Sequence, residues 1–309
     1  MPESATTASA ATLRGQWMRE ELQSQPGIWE RAISQAGGEQ LLPGSGARVA
    51  VVGCGTSWFM AQAYASARES AGHGVTDAFA ASEAAGLTAR GYDTVVAITR
   101  SGTTSEILEL MSSLRGTGTR TVLVLGATGT PAAELADAVI ALPYADERSV
   151  VQTRFATAAL CYLLSSLGWD LSDAVADARG VLEESTPAPL LEAGQFTFLG
   201  RGWTVGLAHE AALKMREAAQ EWTESYPAME YRHGPIAIAA PGRVTWLLAP
   251  EPAGLGDDVR AAGARFEAEG RHPLAELVRV HKVALERALA AGLNPDSPRN
   301  LTRSVILDD

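Results

Sequence analysis

Glu210, Lys214 and Glu217 fall at i, i+4 and i+7, so in a helix starting near Trp203 all three project from one face. Ala208, Ala211, Ala212, Ala218 and Ala219 keep the other surfaces of that helix small. A carboxylate beside an ammonium can take up and return a proton, although a Glu–Lys pair alone is commonly a solvated ion-pair stripe. The company it keeps favours chemistry. His233 stands directly before Gly234-Pro235, a backbone break on which an imidazole can be oriented for proton transfer.

Two hydroxyl-rich loops could hold the substrate of such a proton transfer. One is Thr99-Arg100-Ser101-Gly102-Thr103-Thr104-Ser105, the other Gly53-Cys54-Gly55-Thr56-Ser57. Hydroxyls and free backbone N–H groups where a strand gives way to a helix can bind a phosphate without lysine. Equally, Ser and Thr there can be plain helix caps. Neither loop is a Walker motif or a dinucleotide fingerprint, because Gly-x-x-x-x-Gly-Lys is absent and the third glycine of the fingerprint is not at its required place. No nucleotide or other cofactor is indicated. Cys54 and Cys161 lie in apolar surroundings without CxxC or Cys/His spacing, so they read as buried thiols and not as metal ligands. A last segment, residues 293–305, carries Pro295, Pro298 and an Asn300-Leu301-Thr302-Arg303 turn, which fits a stretch packed back over a site as well as an ordinary docked terminus.

The elements that must position these residues are legible as alternating strands and helices. Residues 48–53, 94–98 and 121–125 are short apolar runs, with helical patterns at 57–69 and 106–114 between them. After two helices within 153–182 the pattern restarts: a strand at 195–200, the Glu210 helix, a strand at 244–249, then helical stretches at 259–269 and 274–291. An amphipathic opening at 13–35 is expected to break near Pro26. Alternation of this kind predicts an α/β protein with parallel sheets flanked by helices. The expected division is a disordered tail at 1–12, N-terminal helices at 13–47, a first unit at 48–185 and a second at 192–309. The shared glycine exits, Gly53-Cys54-Gly55 and Gly200-Arg201-Gly202, suggest an internal duplication.

Composition bounds the function. A net charge of −11 argues against nucleic-acid binding, which needs clustered Lys and Arg. No run of about 20 apolar residues is present to span a bilayer and the opening residues do not form a secretion signal, so the expected address is cytoplasmic.

Taken together, Gly53-Cys54-Gly55-Thr56-Ser57, Thr99-Arg100-Ser101-Gly102-Thr103-Thr104, the stretch 147–154, Leu199-Gly200-Arg201-Gly202, the stretch 209–217, Arg232-His233-Gly234-Pro235 and Pro298-Arg299-Asn300-Leu301 resemble the SIS (sugar isomerase) family. The likeness is closest to the isomerase half of glucosamine-6-phosphate synthase and to stand-alone deaminases and deglycases, and runs from about residue 17 to 305. It implies two flavodoxin-like SIS subdomains and a homodimer with shared active sites. By position it implies that Thr56, Ser57, Thr99, Ser101 and Thr104 hold a sugar phosphate, with Val150, Gln152 and Thr153 lining the pocket. Glu217 matches the enolisation base, Lys214 a helper near the sugar oxygens, and His233 the histidine lent by the neighbouring subunit for ring opening; Glu210 sits on the same motif. Arg100 stands in the family's Ser-Gln-Ser loop and adds a fixed positive charge near the phosphate or sugar. Arg303 replaces the family's closing lysine, and arginine cannot form a Schiff base. Pro2 follows Met1 where the synthase has a nucleophilic cysteine, which points to chemistry without glutamine. The expectation is an amino-sugar 6-phosphate isomerase or deaminase that opens and enolises its substrate. The alternatives are a dehydratase acting on an N-acetylated amino-sugar 6-phosphate and a non-catalytic sugar-phosphate sensor.

Overall fold

A computed structural model describes residues 14–307, so the tail expected at 1–12 lies outside the described residues. Helix α1 (Gln16–Gly38) leads into β1 (Val49–Gly53), α2 (Thr56–Ser70), β2 (Thr76–Ala80), β3 (Thr94–Thr99), α3 (Ser105–Leu114), β4 (Arg120–Leu125) and β5 (Ala138–Ala141). These strands form one parallel sheet in the order β2-β1-β3-β4-β5. Helices α4 (Arg154–Ser165), α5 (Ser172–Glu183) and the short α6 (Ala188–Glu192) lead to β6 (Gln195–Gly200), α7 (Thr204–Ala219), β7 (Thr223–Pro227), β8 (Arg243–Leu247), α8 (Leu255–Ala261), β9 (Arg265–Glu267) and α9 (Pro273–Ala290). The second sheet is also parallel, in the order β7-β6-β8-β9, which repeats the first four positions of the first sheet.

Strands β1, β3 and β4 are buried almost end to end because helices cover both faces of their sheet, as continuous Val/Ala/Leu runs require. One core runs through both sheets: Val49, Val96 and Val124 of the first share a cluster with Phe196, Phe198 and Trp246 of the second. The two sheets meet through α2 and α7. There Gly206 permits the close approach, since a Cβ on it would lie 2.4 Å from the Phe59 carbonyl oxygen and force the helices to shift. The duplication has a structural counterpart at the strand exits. Gly53 and Gly200 each abut the first turn of the next helix, and added Cβ atoms would lie 2.5 Å from the backbone of Ser57 and 2.2 Å from that of Thr204.

Three details depart from the sequence reading. Pro26 does not break α1, which runs unbroken from Gln16 to Gly38. Met18, Leu22, Trp29 and Ala32 on its inner face are fully or almost fully buried, and that packing outweighs the cost of about 3 kcal/mol for an interior proline. The helical stretch expected at 259–269 is two elements, α8 ending at Ala261 and β9 beginning at Arg265, divided by Gly263 at φ +86°. Cys54 is only half-buried, whereas Cys161 is fully enclosed.

α1 also carries a buried acid. Glu21 Oε1 accepts hydrogen bonds from the Arg148 and Ser149 amides at 2.5 and 3.3 Å, while Oε2 has no partner. Burial, and after it the nearby Glu147 charge, push the Glu21 pKa from 4.5 up to about 7. With the folded pKa above the unfolded one, the unfolded chain sheds a proton the native protein keeps, so stability falls as pH rises through this window. Glu21→Gln keeps the accepting oxygen and is expected to flatten the decline of Tm between about pH 4.5 and 7. A variant whose Tm falls as steeply as the parent's would take Glu21 out of that account.

Candidate active site

At the carboxyl end of β1 and β3, loop residues 54–57 and 98–104 form one side of a cavity of about 200 Å³. This is where open parallel sheets bind ligands. The opposite wall is Val150 and Gln152, Glu217 enters from α7, and residues 301–305 close the top. Thr56, Ser57, Thr99, Arg100, Ser101, Thr104, Val150, Gln152, Glu217 and Arg303 thus meet around one space, although they span most of the chain.

The hydroxyls are not spent as caps. Gly55 and Thr104 occupy the N-cap positions of α2 and α3, and neither helix has a side-chain cap hydrogen bond. Thr99 Oγ1 instead accepts from Gly102 N at 3.2 Å and braces the turn. Ser101 and Thr104 face the closing segment.

Behind Glu217 lies a buried charge cluster. Lys214 Nζ makes a close ion pair with Glu217 Oε2 and sits 3.5 Å from Glu210 Oε1. Lys214 and Glu210 are fully buried, whereas the Glu217 side chain keeps 20% of its surface exposed toward the cavity. Burial drives the Glu210 pKa up to about 8 despite the pull of Lys214, with the Glu217 charge adding to the rise. Burial works against the Lys214 charge, but Glu210 and then Glu217 prevail and hold its pKa above 10.5. The helix face read from sequence therefore points inward, with Glu217 its only member at the cavity.

Other expectations fall elsewhere. Arg100 does not offer its charge to the cavity. Its guanidinium turns to the backbone, donating to Ser149 O at 3.0 Å and Arg303 O at 2.9 Å, with Glu147 Oε2 3.9 Å away. Thr153 is fully buried and does not line the cavity, because its amide and hydroxyl both bond Glu147 Oε1, at 2.7 and 3.1 Å. His233 is exposed on a short helical turn, Glu230–His233, outside the cavity of its own chain. Arg303 lines the cavity with its guanidinium directed to Asp146 Oδ1 at 2.5 Å and to the Glu147 carbonyl.

Residues not singled out from sequence also take part. Glu147 is buried and accepts from the backbone N–H groups of Thr153, Arg154 and Phe155, which fixes the start of α4 and the Val150–Gln152 wall. Ser304 and Thr103 join the hydroxyl cluster, and Cys54 lines the cavity with its thiol pKa raised by burial to about 11. Only the position of Ser304 beside Arg303 could have drawn attention to it. Among the described residues, no group of three or more His, Cys, Asp or Glu side chains could hold a metal ion, and no helix is long and apolar enough to cross a membrane.

The arrangement of two parallel α/β units recurs in solved structures of other proteins. A crystal structure of glucosamine-6-phosphate deaminase from Thermotoga maritima superposes with a TM-score of 0.77 at 20% identity, covering 94% of this chain and 99% of that one. The tagatose-6-phosphate ketose/aldose isomerase of Escherichia coli gives 0.76 at 18% identity, covering 100% and 99%. Residues 44–166 match the SIS domain model, so the chain contains a SIS domain. In sequence it is 30% identical over 271 residues to the glutamine–fructose-6-phosphate aminotransferase (isomerizing) of Aeropyrum pernix, covering 71% of this chain and 44% of that protein. The chain spans less than half the length of that relative.

Proposed function

We propose that the chain is an enzyme that opens and enolises an amino-sugar 6-phosphate, as an isomerase or a deaminase. The observation that carries this reading is Glu217, the one cavity-facing carboxylate of a buried Glu–Lys–Glu cluster, in the same cavity as the Thr56, Ser57, Ser101 and Thr104 hydroxyls. In this reading the hydroxyl loops grip the phosphate, and Glu217 removes the proton from the carbon beside the carbonyl. The Lys214 ammonium lies behind Glu217, outside the cavity lining, and its close ion pair with Glu217 fixes that carboxylate in place. Returning the proton to the neighbouring carbon interconverts aldose and ketose. With a free 2-amino group, hydrolysis of the resulting imine releases ammonia. Arg303 stays protonated and spends its charge on Asp146, so this position supplies no imine-forming amine.

The reading is tested by incubating the protein with glucosamine 6-phosphate and with its N-acetyl form, following ammonia, fructose 6-phosphate and the ultraviolet absorbance of an unsaturated product. Ammonia or ketose from the first substrate supports it. An unsaturated product from the second would replace it with elimination of water, and binding of either sugar without turnover would leave a sensor.

Ser101→Ala with Thr104→Ala removes two donors to the phosphate. Hydrogen bonds to charged groups are worth about 1.5–3 kcal/mol each, so KM is expected to rise roughly a hundredfold or more with kcat little changed. An unaltered KM would remove the loop from phosphate binding. The exposed His233 fits a residue that serves a second copy of the chain. Mixing equal amounts of inactive Glu217→Gln and His233→Ala proteins should then restore about a quarter of parental activity through hybrid dimers, which carry one intact site. No recovery after subunit exchange would place each site within one chain.

A further inference from the structure

The hydroxyl cup already holds an oxygen. Ser304 Oγ accepts hydrogen bonds from Ser101 Oγ at 3.1 Å and Thr103 Oγ1 at 3.0 Å, and Thr104 Oγ1 lies 3.2 Å away. Several hydroxyls converging on one oxygen is how polar groups surround an oxygen of a phosphate. A serine hydroxyl presents no charge in return. The segment bearing Ser304 is held chiefly by polar links: Arg100 Nη2 to Arg303 O at 2.9 Å, Ser105 N to Val305 O at 3.2 Å, and Leu307 N to Ser105 Oγ at 2.9 Å. Its apolar side chains contribute little, since Val305, Ile306 and Leu307 are all more than half exposed.

We infer that the Ser304 hydroxyl occupies the position of one phosphate oxygen, so that the closing segment and the phosphate group are alternative occupants of the cup. The inference rests on the reading of the cup as a phosphate site. A phosphate monoester carries about two negative charges near neutral pH, and the same donors bond it more strongly than a neutral hydroxyl. It therefore displaces Ser304. Losing that anchor loosens the two links to Ser105 that follow it in the chain, while the buried Arg100 guanidinium, on the other side, keeps its hold on Arg303. The segment then swings about Arg303 and leaves the cavity wall formed by Ser304 and Val305 open.

Hydrogen–deuterium exchange of the full chain, read on the peptide 300–307, tests this with inorganic phosphate and with glucosamine 6-phosphate, binding being followed in parallel by calorimetry. The Leu307 amide is expected to be protected in the free protein and to exchange about tenfold faster when either anion is bound. Ser304→Ala should reproduce the faster exchange without any anion and bind inorganic phosphate about five- to tenfold more tightly, because no hydroxyl competes for the donors. If binding slows exchange or leaves it unchanged, the segment covers or ignores the anion and the proposal falls, while the phosphate reading stands. Weaker phosphate binding by Ser304→Ala would likewise overturn it, making Ser304 part of the grip. If neither anion binds parent or variant, the phosphate reading itself fails and the inference with it.

Discussion

Glu217→Gln is expected to lower turnover about a thousandfold while leaving the affinity for the phosphorylated sugar within a fewfold of the parent. Positioned general bases contribute roughly 10²–10⁴ to rate, and glutamine keeps the shape of glutamate without its capacity to take a proton. Binding should survive because the proposed grip lies on the other wall, in the hydroxyls of Thr56, Ser57, Ser101 and Thr104. Exchange of solvent deuterium into the carbon beside the carbonyl provides a second readout, which should vanish together with turnover. A variant that still turns over at the parental rate would remove Glu217 from the mechanism and shift attention to Glu210, the other carboxylate at Lys214.

Lys214→Met should produce the largest loss of stability, about 3–5 kcal/mol in urea unfolding at pH 9. Lys214 is the counter-charge of a fully buried Glu210 3.5 Å away, and a buried charge without a partner is far costlier than a buried pair. The pH dependence has a definite sign. Because the folded pKa of Lys214 lies above 10.5, its stabilising contribution is complete below 10.5 and is lost only as pH climbs through the higher folded value. Glu210 gives up its proton near pH 8, so removing the ammonium is felt most above that point and less at pH 6, where Glu210 is neutral. Adding Glu210→Gln to Lys214→Met should recover stability at pH 9, since the orphaned charge is then gone. Equal losses at pH 6 and pH 9, with no recovery in the double variant, would mean that Lys214 stabilises the fold through Glu217 and packing and not through Glu210.

Much of this arrangement is legible in the sequence because it is periodic. The i, i+4, i+7 spacing of Glu210, Lys214 and Glu217 places them on one face wherever α7 lies, and the apolar runs of β1, β3, β4, β6 and β8, short and rich in β-branched or aromatic residues, read as buried strands. Edge strands are harder to read. β2, β5, β7 and β9 are short, and in Thr223–Pro227 or Arg265–Glu267 polar residues outnumber apolar ones. Pairing with a central neighbour makes these segments strands, and pairing partners are not visible locally. The direction of a long side chain is equally hidden. From its place in the loop, Arg100 could serve an incoming anion. It turns away because the carbonyls of Ser149, Val150 and Arg303, brought together by the fold, give a buried guanidinium acceptors that the loop itself lacks. Thr153 is diverted in the same way by Glu147. Within the segment 293–305, expected as a stretch packed back over a site, nothing local marks Ser304 itself, because its partners lie some 200 residues earlier in the chain, at sequence separations of 203, 201 and 200.

The contact of Gly206 with the Phe59 carbonyl has a consequence for selectivity. α2 begins with the hydroxyls Thr56 and Ser57, and α7 carries Glu217 toward its end, so the backbone-to-backbone seating of these two helices sets the span between grip and base. Beside backbone, the nearest side-chain atom in that seat is the Ala63 Cβ, 3.1 Å from where a Cβ on Gly206 would lie. Under the proposed function the helix pair works as a ruler, counting carbons from the phosphate to the acidic position. A larger residue at Gly206 would then reset the preferred sugar length before it altered the chemistry.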